Sequence, residues 1–300
     1  YCKSMQNSIK IWVGDMGSYK LLDCGDKKKL EEVGRVRIVR AEPRAWWKKE
    51  LPEEEWKKAE SFAPQGESLE KIIDVGVGEI KAKIKYKNTS KHIGIFPEQV
   101  KEWEFIKEKI EKWKEGRKEK AEGTEQSEVK LNVLNLFGYT GIATLVAAKA
   151  GAKVTHVDAS KQSVDWAREN QKLSGLENAP IRWIVDDVIK FVKKEAKQGK
   201  KYDAIIMDPP SYGKGPKGEV WKIEEKLPDL LSVCREILSN QPLFVVFNMY
   251  STELSSISVA NLLADMTAGL GGTIESGELV IKQQNSDHLL PMSIFAVWEK

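Results

Sequence analysis

The stretch "DPPSY" at residues 208–212 follows the apolar run "YDAIIM" and precedes a glycine-rich basic segment, "GKGPKG". The apolar run reads as a buried strand. Pro209 and Pro210 stop it, because each fixes φ and removes a backbone donor. They hold a rigid, extended turn. The Asp208 carboxylate and the Pro209 carbonyl are both acceptors, and together they suit a planar nitrogen carrying N–H groups. Tyr212 can stack on a base, worth about 1–3 kcal/mol in single-strand sites. Lys214 and Lys217 fit phosphate contacts, which position a nucleic acid without reading its sequence. A solvated loop explains those lysines equally well. Trp221 reads as an anchor for the following helix.

A second constellation lies upstream in "LNVLNLFGYTGIATLVAAKAGAKVTHVD". A strand ends near Leu136, Gly138 and Gly141 make a tight turn, and a helix begins near Thr140. Helix N-terminal amides beside small residues let a ligand approach the backbone. Asp158 closes the next strand, about 20 residues on, where an acid accepts ribose hydroxyls. A dinucleotide fingerprint needs a third glycine, and its position holds Leu136. The pair Asp186 and Asp187 closes a third strand. One of them can accept the exocyclic amine of an adenine while the other caps the helix "VIKFVKKEA".

These residues need strands to carry them. "LNVLNL", "AKVTHVD", "IRWIVD", "YDAIIMD" and "LFVVFN" alternate with helical segments. Continuous apolar strands in that alternation predict an α/β, doubly wound, mostly parallel sheet. "ELVIKQQ" and "SIFAVWEK" predict a terminal antiparallel strand. Residues 97–119 form one amphipathic helix, with Val100, Trp103, Ile106, Ile110 and Trp113 on one face. The tryptophans of that face read as packing. Residues 1–96 form a smaller β-rich N-terminal region, and 97–300 the larger domain. Strands are expected at "IKIWVG", "YKLLDCG", "RVRIVR" and across "KIIDVGVGEIKAKIKYKN". Trp46 and Trp47 fit the core better than a substrate wall. "GRKEKAEGTEQSE" is the candidate flexible connection.

Composition excludes several classes. Net charge is +3, so bulk charge does not make this a polybasic nucleic-acid binder. Three scattered cysteines and three histidines argue against a zinc site, a disulfide framework or a histidine metal centre. No run of about 18 apolar residues and no signal-peptide core appears. A soluble cytoplasmic protein without a metal is expected.

With "NLFGYTG", "VDASKQSVDWARENQ", "DDVIKF" and "DPPSYGKG" in that order, residues 131–298 resemble the class I S-adenosylmethionine-dependent methyltransferases. They are most similar to the branch holding the bacterial 23S ribosomal RNA cytosine-C5 and guanine-N7 enzymes. "KHIGIFPEQ" resembles the short segment that precedes the domain there, and residues 1–90 do not look like an RNA-binding PUA module. The resemblance implies a seven-stranded Rossmann-like sheet with its last strand antiparallel. It implies S-adenosylmethionine as cofactor, with Phe137, Gly138, Tyr139, Thr140 and Gly141 around the methionine end. It puts the ribose on Asp158, the adenine between Ala159 and Ser160, and its amine on Asp187. Gln99 of the leading segment falls with Tyr212 and Lys214 on the substrate side. Asn135 stands where many relatives carry Asp, so it can accept from the methionine ammonium but without the charge.

The resemblance implies RNA, ribosomal RNA first, as substrate. Covalent C5 chemistry needs a nucleophilic thiolate. The relatives of that type carry a cysteine after the fifth strand, where this chain has "FNMYSTE". Direct transfer to a base nitrogen, catalysed from Asp208, Pro209, Pro210 and Tyr212, is therefore expected. A nicotinamide-dependent oxidoreductase and a non-catalytic RNA-binding scaffold are the competing readings. Changing Cys2, Cys24 and Cys234 together to Ala or Ser should leave methyl transfer intact in a folded protein, and a fluorinated cytosine RNA should trap no adduct.

Overall fold

A computed structural model describes residues 9–60, 69–86, 92–118, 130–250 and 254–300. The N-terminal region contributes β1 (Lys10–Gly14), β2 (Tyr19–Gly25), β3 (Lys28–Val33), β4 (Val36–Ala41), α1 (Glu53–Glu60), β5 (Leu69–Asp74) and β6 (Lys81–Tyr86). A 3-10 turn at Pro97–Gln99 leads into α2 (Val100–Lys118). Then come β7 (Asn132–Leu136), α3 (Ile142–Lys149), β8 (Lys153–Asp158), α4 (Lys161–Leu173), β9 (Ile181–Val185), α5 (Val188–Lys197) and β10 (Ala204–Met207). The chain continues through β11 (Tyr212–Lys214), β12 (Val220–Lys222), α6 (Ile223–Ile237), β13 (Phe244–Met249), α7 (Ser256–Met266), β14 (Thr273–Lys282) and β15 (Leu289–Glu299).

The main sheet runs β1-β14-β15-β13-β10-β7-β8-β9. Strands β9, β8, β7, β10 and β13 pair in parallel, and β15 is antiparallel to both β13 and β14. The chain leaves β7 towards β8 and β9, then returns to the other side of β7 with β10. That reversal opens a crevice at the carboxyl ends of β7 and β10, where ligands of such sheets bind.

Side-chain alternation divides the sheet into two faces. Leu134, Leu136, Ile205, Met207, Val245 and Phe247 pack with α5, α6 and α7 through Phe191, Leu230, Cys234 and Val259. Val133, Ile206, Val246 and Phe295 pack on the other face with Ile106 and Ile110 of α2. Val100 and Trp103 are buried as well, so the expected apolar stripe of α2 is a packing face.

The structure adds an eighth strand to the expected seven. β1, from the N-terminal region, pairs in parallel with β14. Trp12 fastens it: Nε1 donates to Glu275 Oε1 at 2.7 Å, and the ring lies 4.3 Å from Phe295. The small sheet β2-β3-β4 leans on the β14–β15 hairpin, where Gln284 N donates to Leu21 O at 2.7 Å. The hairpin β5–β6 packs on α4. β3 is too charged, and α7 too short in polar punctuation, to have stood out in the sequence. Trp46 departs from its core expectation, being 78% exposed, whereas Trp47 is partly buried against His288. Cys2, Ser251 and most of the expected flexible connection lie outside the described residues. Among the described residues no helix is long and apolar enough to cross a membrane.

Gly277 is where β1 and β14 come closest. A Cβ there would lie 1.8 Å from Lys10 O and 2.6 Å from Lys10 C, both backbone atoms. Gly277→Ala should detach β1 without disturbing the central strands. Hydrogen exchange should accelerate by at least about tenfold at residues 11–14, as expected for a locally opened unit, and stay slow in β7 and β10.

Candidate active site

The loop between β7 and α3 is bent against ordinary backbone preference. Phe137 and Tyr139 have φ of 58° and 48°, and Gly141 has 83°. Left-handed backbone at a non-glycine residue costs on the order of 1–3 kcal/mol and persists only where neighbours over-determine it. The bonds that do so are visible. Gly138 N donates to Val157 O at 3.1 Å, and Gly141 N to Gly138 O at 2.9 Å. Tyr139 N donates to Asp158 Oδ2 at 2.9 Å. Thr140 Oγ1 donates to Gly94 O at 2.7 Å, and Asn170 Nδ2 to Thr140 O at 3.0 Å. The helix starts at Ile142, two residues later than expected, because Gly141 takes the left-handed cap position.

Glycine is required at 138. A Cβ there would sit 2.4 Å from the buried His156 ring. Burial drives the His156 imidazole down to about 3, so it is neutral. Its Nδ1 lies 2.9 Å from Thr144 Oγ1, which accepts from Asn135 Nδ2 at 2.9 Å. Asn135 is thereby oriented from behind. Phe137 packs on Trp221 at 4.9 Å, and Tyr139 stands between Phe96 and Trp166 at 5.6 and 6.1 Å.

Asp158 ends β8 with both oxygens engaged, Oδ1 by Ser160 N at 2.8 Å and Oδ2 by Tyr139 N. Each ionised oxygen keeps further acceptor capacity. Burial raises the Asp158 carboxyl above its ordinary value against these two amides. Ser160 caps α4, its Oγ accepting from Ser163 N at 3.1 Å, with Ala159 between the two. The helix cap at α5 falls on Asp187, whose Oδ1 accepts from Lys190 N at 2.9 Å, while Asp186 Oδ1 accepts from Asp187 N. The cap uses one Asp187 oxygen and leaves the second as an acceptor.

The loop after β7 borders a narrow cleft that opens to solvent, and Asp158, Ala159, Ser160, Asp186 and Asp187 lie outside its lining. Its lining includes Asn135, Phe137, Gly138, Tyr139 and Thr140 together with Gln99 and Asp208. Asp208, half-buried at the end of β10, has its carboxyl raised to about 7 by desolvation. Gln99 Nε2 donates to its Oδ2 at 2.8 Å and opposes that rise, while the Glu98 charge adds to it. Gln99 Nε2 also reaches Tyr250 Oη at 3.1 Å, and that hydroxyl donates to Glu98 Oε1 at 3.0 Å. Pro209 is buried, and the Pro210 carbonyl accepts from Trp221 Nε1 at 2.6 Å. Trp221 anchors the turn itself as much as the helix after it.

The basic segment is a short hairpin, β11 paired with β12, rather than a plain loop. Tyr212 is 56% exposed on it, Lys214 is exposed, and neither lines the cleft. Glu98, Glu102, Asn248 and Tyr250 were not singled out as site residues by the sequence. Glu102 offered one signal: it sits four residues before Ile106 on the buried stripe of α2. Among the described residues no cluster of three or more potential metal ligands occurs.

The glycine cradle, the left-handed loop and the acid closing β8 fit a nucleoside-bearing cofactor at this crevice. A family model described as S-adenosylmethionine-dependent methyltransferase matches residues 114–243. The crystal structure of the SAM-dependent methyltransferase from Agrobacterium tumefaciens is 39% identical, with a TM-score of 0.85, over 97% of this chain and 93% of that one. A methyltransferase of Streptococcus mutans, 16% identical, shares the fold, with a TM-score of 0.66 over 94% of this chain and 75% of that one. Ribosomal RNA large subunit methyltransferase K/L of Shewanella frigidimarina is 38% identical over 110 residues, 36% of this chain and 15% of that protein. Ribosomal RNA large subunit methyltransferase I of Klebsiella pneumoniae is 43% identical over 81 residues, 27% of this chain and 20% of that protein. The matches span 15% and 20% of the length of these two curated relatives. The Agrobacterium match runs through nearly the whole of both chains, and on it the chain belongs to the S-adenosylmethionine-dependent methyltransferases.

Proposed function

We propose that the protein methylates a base nitrogen in RNA, ribosomal RNA being the favoured substrate, by direct transfer. The observation that carries this is Asp208, held by Gln99 at the mouth of the cofactor cleft with a carboxyl that titrates near neutrality. The names of the ribosomal RNA relatives support the substrate class. Such a substrate belongs with a cytoplasmic enzyme.

The cofactor, when bound, supplies a sulfonium methyl. On this reading Phe137, Gly138, Tyr139, Thr140 and Gly141 would hold its methionine end, with the Asn135 oxygen as an acceptor. Asp158 accepts the ribose hydroxyls. Ala159 and Ser160 flank the adenine, and the uncapped oxygen of Asp187 receives its amine. Asp208 and the Pro209 carbonyl orient an N–H-bearing nitrogen, and ionised Asp208 takes up its proton. Pro210 holds the turn. Tyr212 and Lys214, on the hairpin outside the cleft, meet the flanking nucleotides by stacking and by phosphate contact. Transfer of labelled methyl to ribosomal RNA, followed by nucleoside mass spectrometry, tests the substrate. Labelling confined to protein or small molecules would overturn it.

Asp158→Ala should weaken S-adenosylhomocysteine binding by on the order of 1.5–3 kcal/mol, the loss of charge-assisted bonds. It also releases Tyr139 N, so the loop loses one of its restraints. Calorimetry with a folded variant of unchanged affinity would remove Asp158 from the site.

Asp208 makes the pH dependence explicit. Its carboxyl must be ionised to accept, so the transfer rate should climb as pH rises through about 7. Asp208→Asn should lower turnover rather than cofactor affinity, because an aligned acceptor matters in the transition state. Stability should move the other way. A carboxyl raised on folding costs stability as pH rises above its unfolded value, with the full cost present above 7. Asp208→Asn should therefore raise the melting temperature at alkaline pH and leave it unchanged in acid. A fall in stability, affinity and rate together would mean that Asp208 only shapes the turn.

A further inference from the structure

We propose that Glu102 of α2 and Asn248 of β13 form the seat for the α-ammonium of the cofactor's methionine, supplying the negative charge that Asn135 lacks. This inference rests on reading the cleft as the methionine end of the cofactor site.

Asn135, Asp208 and Asn248 end three neighbouring strands on the face covered by α2. Ile206 pairs with Asn135, and Met207 pairs with both Leu136 and Phe247, so Asn248 follows in register beside Asp208. Glu102 meets them from the helix. All four line the cleft. Asn248 Nδ2 donates to Glu102 Oε2 at 2.5 Å. The remaining acceptors, Glu102 Oε1 and Asn248 Oδ1, are buried and have no hydrogen-bond partner. Their residues are 2% and 3% exposed. Orphaned buried acceptors of this kind are rare and call for a missing donor.

The chemistry of this acid-lined pocket favours a cationic donor. Among the described residues no lysine, arginine or histidine forms an ion pair with Glu102. Its titratable neighbours are Asp208 beyond β10, Glu98 before α2 and Tyr250 after β13, and none of them brings positive charge. Burial first, and then the neighbouring acids Asp208 and Glu98, hold the Glu102 carboxyl well above the usual range, which disfavours its charge until a cation faces it. An ammonium brings three N–H donors and one positive charge. Glu102 Oε1, Asn248 Oδ1 and the Asn135 oxygen are the acceptors it would find. Seating it ionises Glu102, and the displaced proton leaves to the buffer.

The test uses two ligands on the full chain: S-adenosylhomocysteine, and 5′-methylthioadenosine, which lacks the amino acid. Calorimetry in buffers of different ionisation enthalpy counts the protons. The wild-type protein should release a proton near neutral pH with the first ligand and none with the second. Glu102→Gln should weaken S-adenosylhomocysteine by about tenfold to a hundredfold, the loss of a charge-assisted bond. It should abolish the release and leave 5′-methylthioadenosine affinity unchanged. Asn248→Ala should show the same selectivity, and Asp208→Asn should retain the release, which separates the two carboxyls. Unchanged S-adenosylhomocysteine affinity in Glu102→Gln, equal loss of both ligands, or persistent release would overturn the ammonium seat. Failure of the folded wild-type protein to bind either ligand would instead overturn the cleft reading, and this inference with it.

Discussion

The alternation of side chains along three adjacent parallel strands governs the rest of the molecule. Every second residue of β7, β10 and β13 faces α2. For most of their length those residues are Val133, Ile206, Val246 and their apolar neighbours. At the carboxyl ends the same face carries Asn135, Asp208 and Asn248. A one-residue change of register would send these polar groups to the α5–α7 side, among Leu136, Met207 and Phe247. The dense apolar packing beneath is thus what fixes where the polar ends point. It is also what desolvates them. The upward shifts of Asp208 and Glu102 follow from placing carboxyls at the boundary of that core.

A second constraint runs through the cofactor loop. Two non-glycine residues in left-handed conformation are stable only because bonds from several elements converge on them. Some of those elements belong to the N-terminal region. The carbonyl of Gly94 holds Thr140, and a Cβ at Gly94 would strike Trp166 at 2.2 Å. Trp166 Nε1 donates to Lys83 O, and Lys83 N donates to Asn170 Oδ1, the residue that also binds the Thr140 carbonyl. The β5–β6 hairpin therefore braces α4, and α4 braces the loop. Together with β1 in the main sheet, this makes the N-terminal region part of the site's support.

Much of this was legible because local rules and tertiary structure agreed. The strands β7, β10 and β13 are largely apolar runs, buried on both faces, and nothing competes with that reading. The loop glycines, Asp158 and the stop at Pro209 are likewise local chemistry. Other features depend on distant partners. β1 is a short edge strand whose place is decided by Gly277, more than 260 residues away. The charged β3, KKLEEV, is mostly buried once it lies between β2 and β4, which its sequence does not signal. Trp46 resembles a core residue in composition but sits in a loop that leaves it exposed. Glu98, just before α2, and Glu102, within it, belong to a charge-rich stretch, and only their burial sets them apart from the solvated glutamates beside them.

On the proposed reading, the Asp208 carboxylate also constrains how an RNA can be received. Ionised Asp208 would repel a phosphate, and desolvation strengthens that repulsion. A base edge is different, because an exocyclic amine offers donors to acceptors and carries no net charge. On the proposed reading the target nucleotide must present its base alone to the cleft, taken out of any stack, and keep its backbone outside. The cations suited to that backbone are at the rim, with exposed Lys214 and Lys217 on the hairpin beside exposed Tyr212. Lys190 nearby is already paired with Glu219, whose second oxygen accepts from Lys217 N at 2.9 Å. That ion pair stiffens the hairpin at the point where the backbone would pass. On that reading, acid within and base at the rim would separate the two parts of one nucleotide, the base going in and the phosphate staying out.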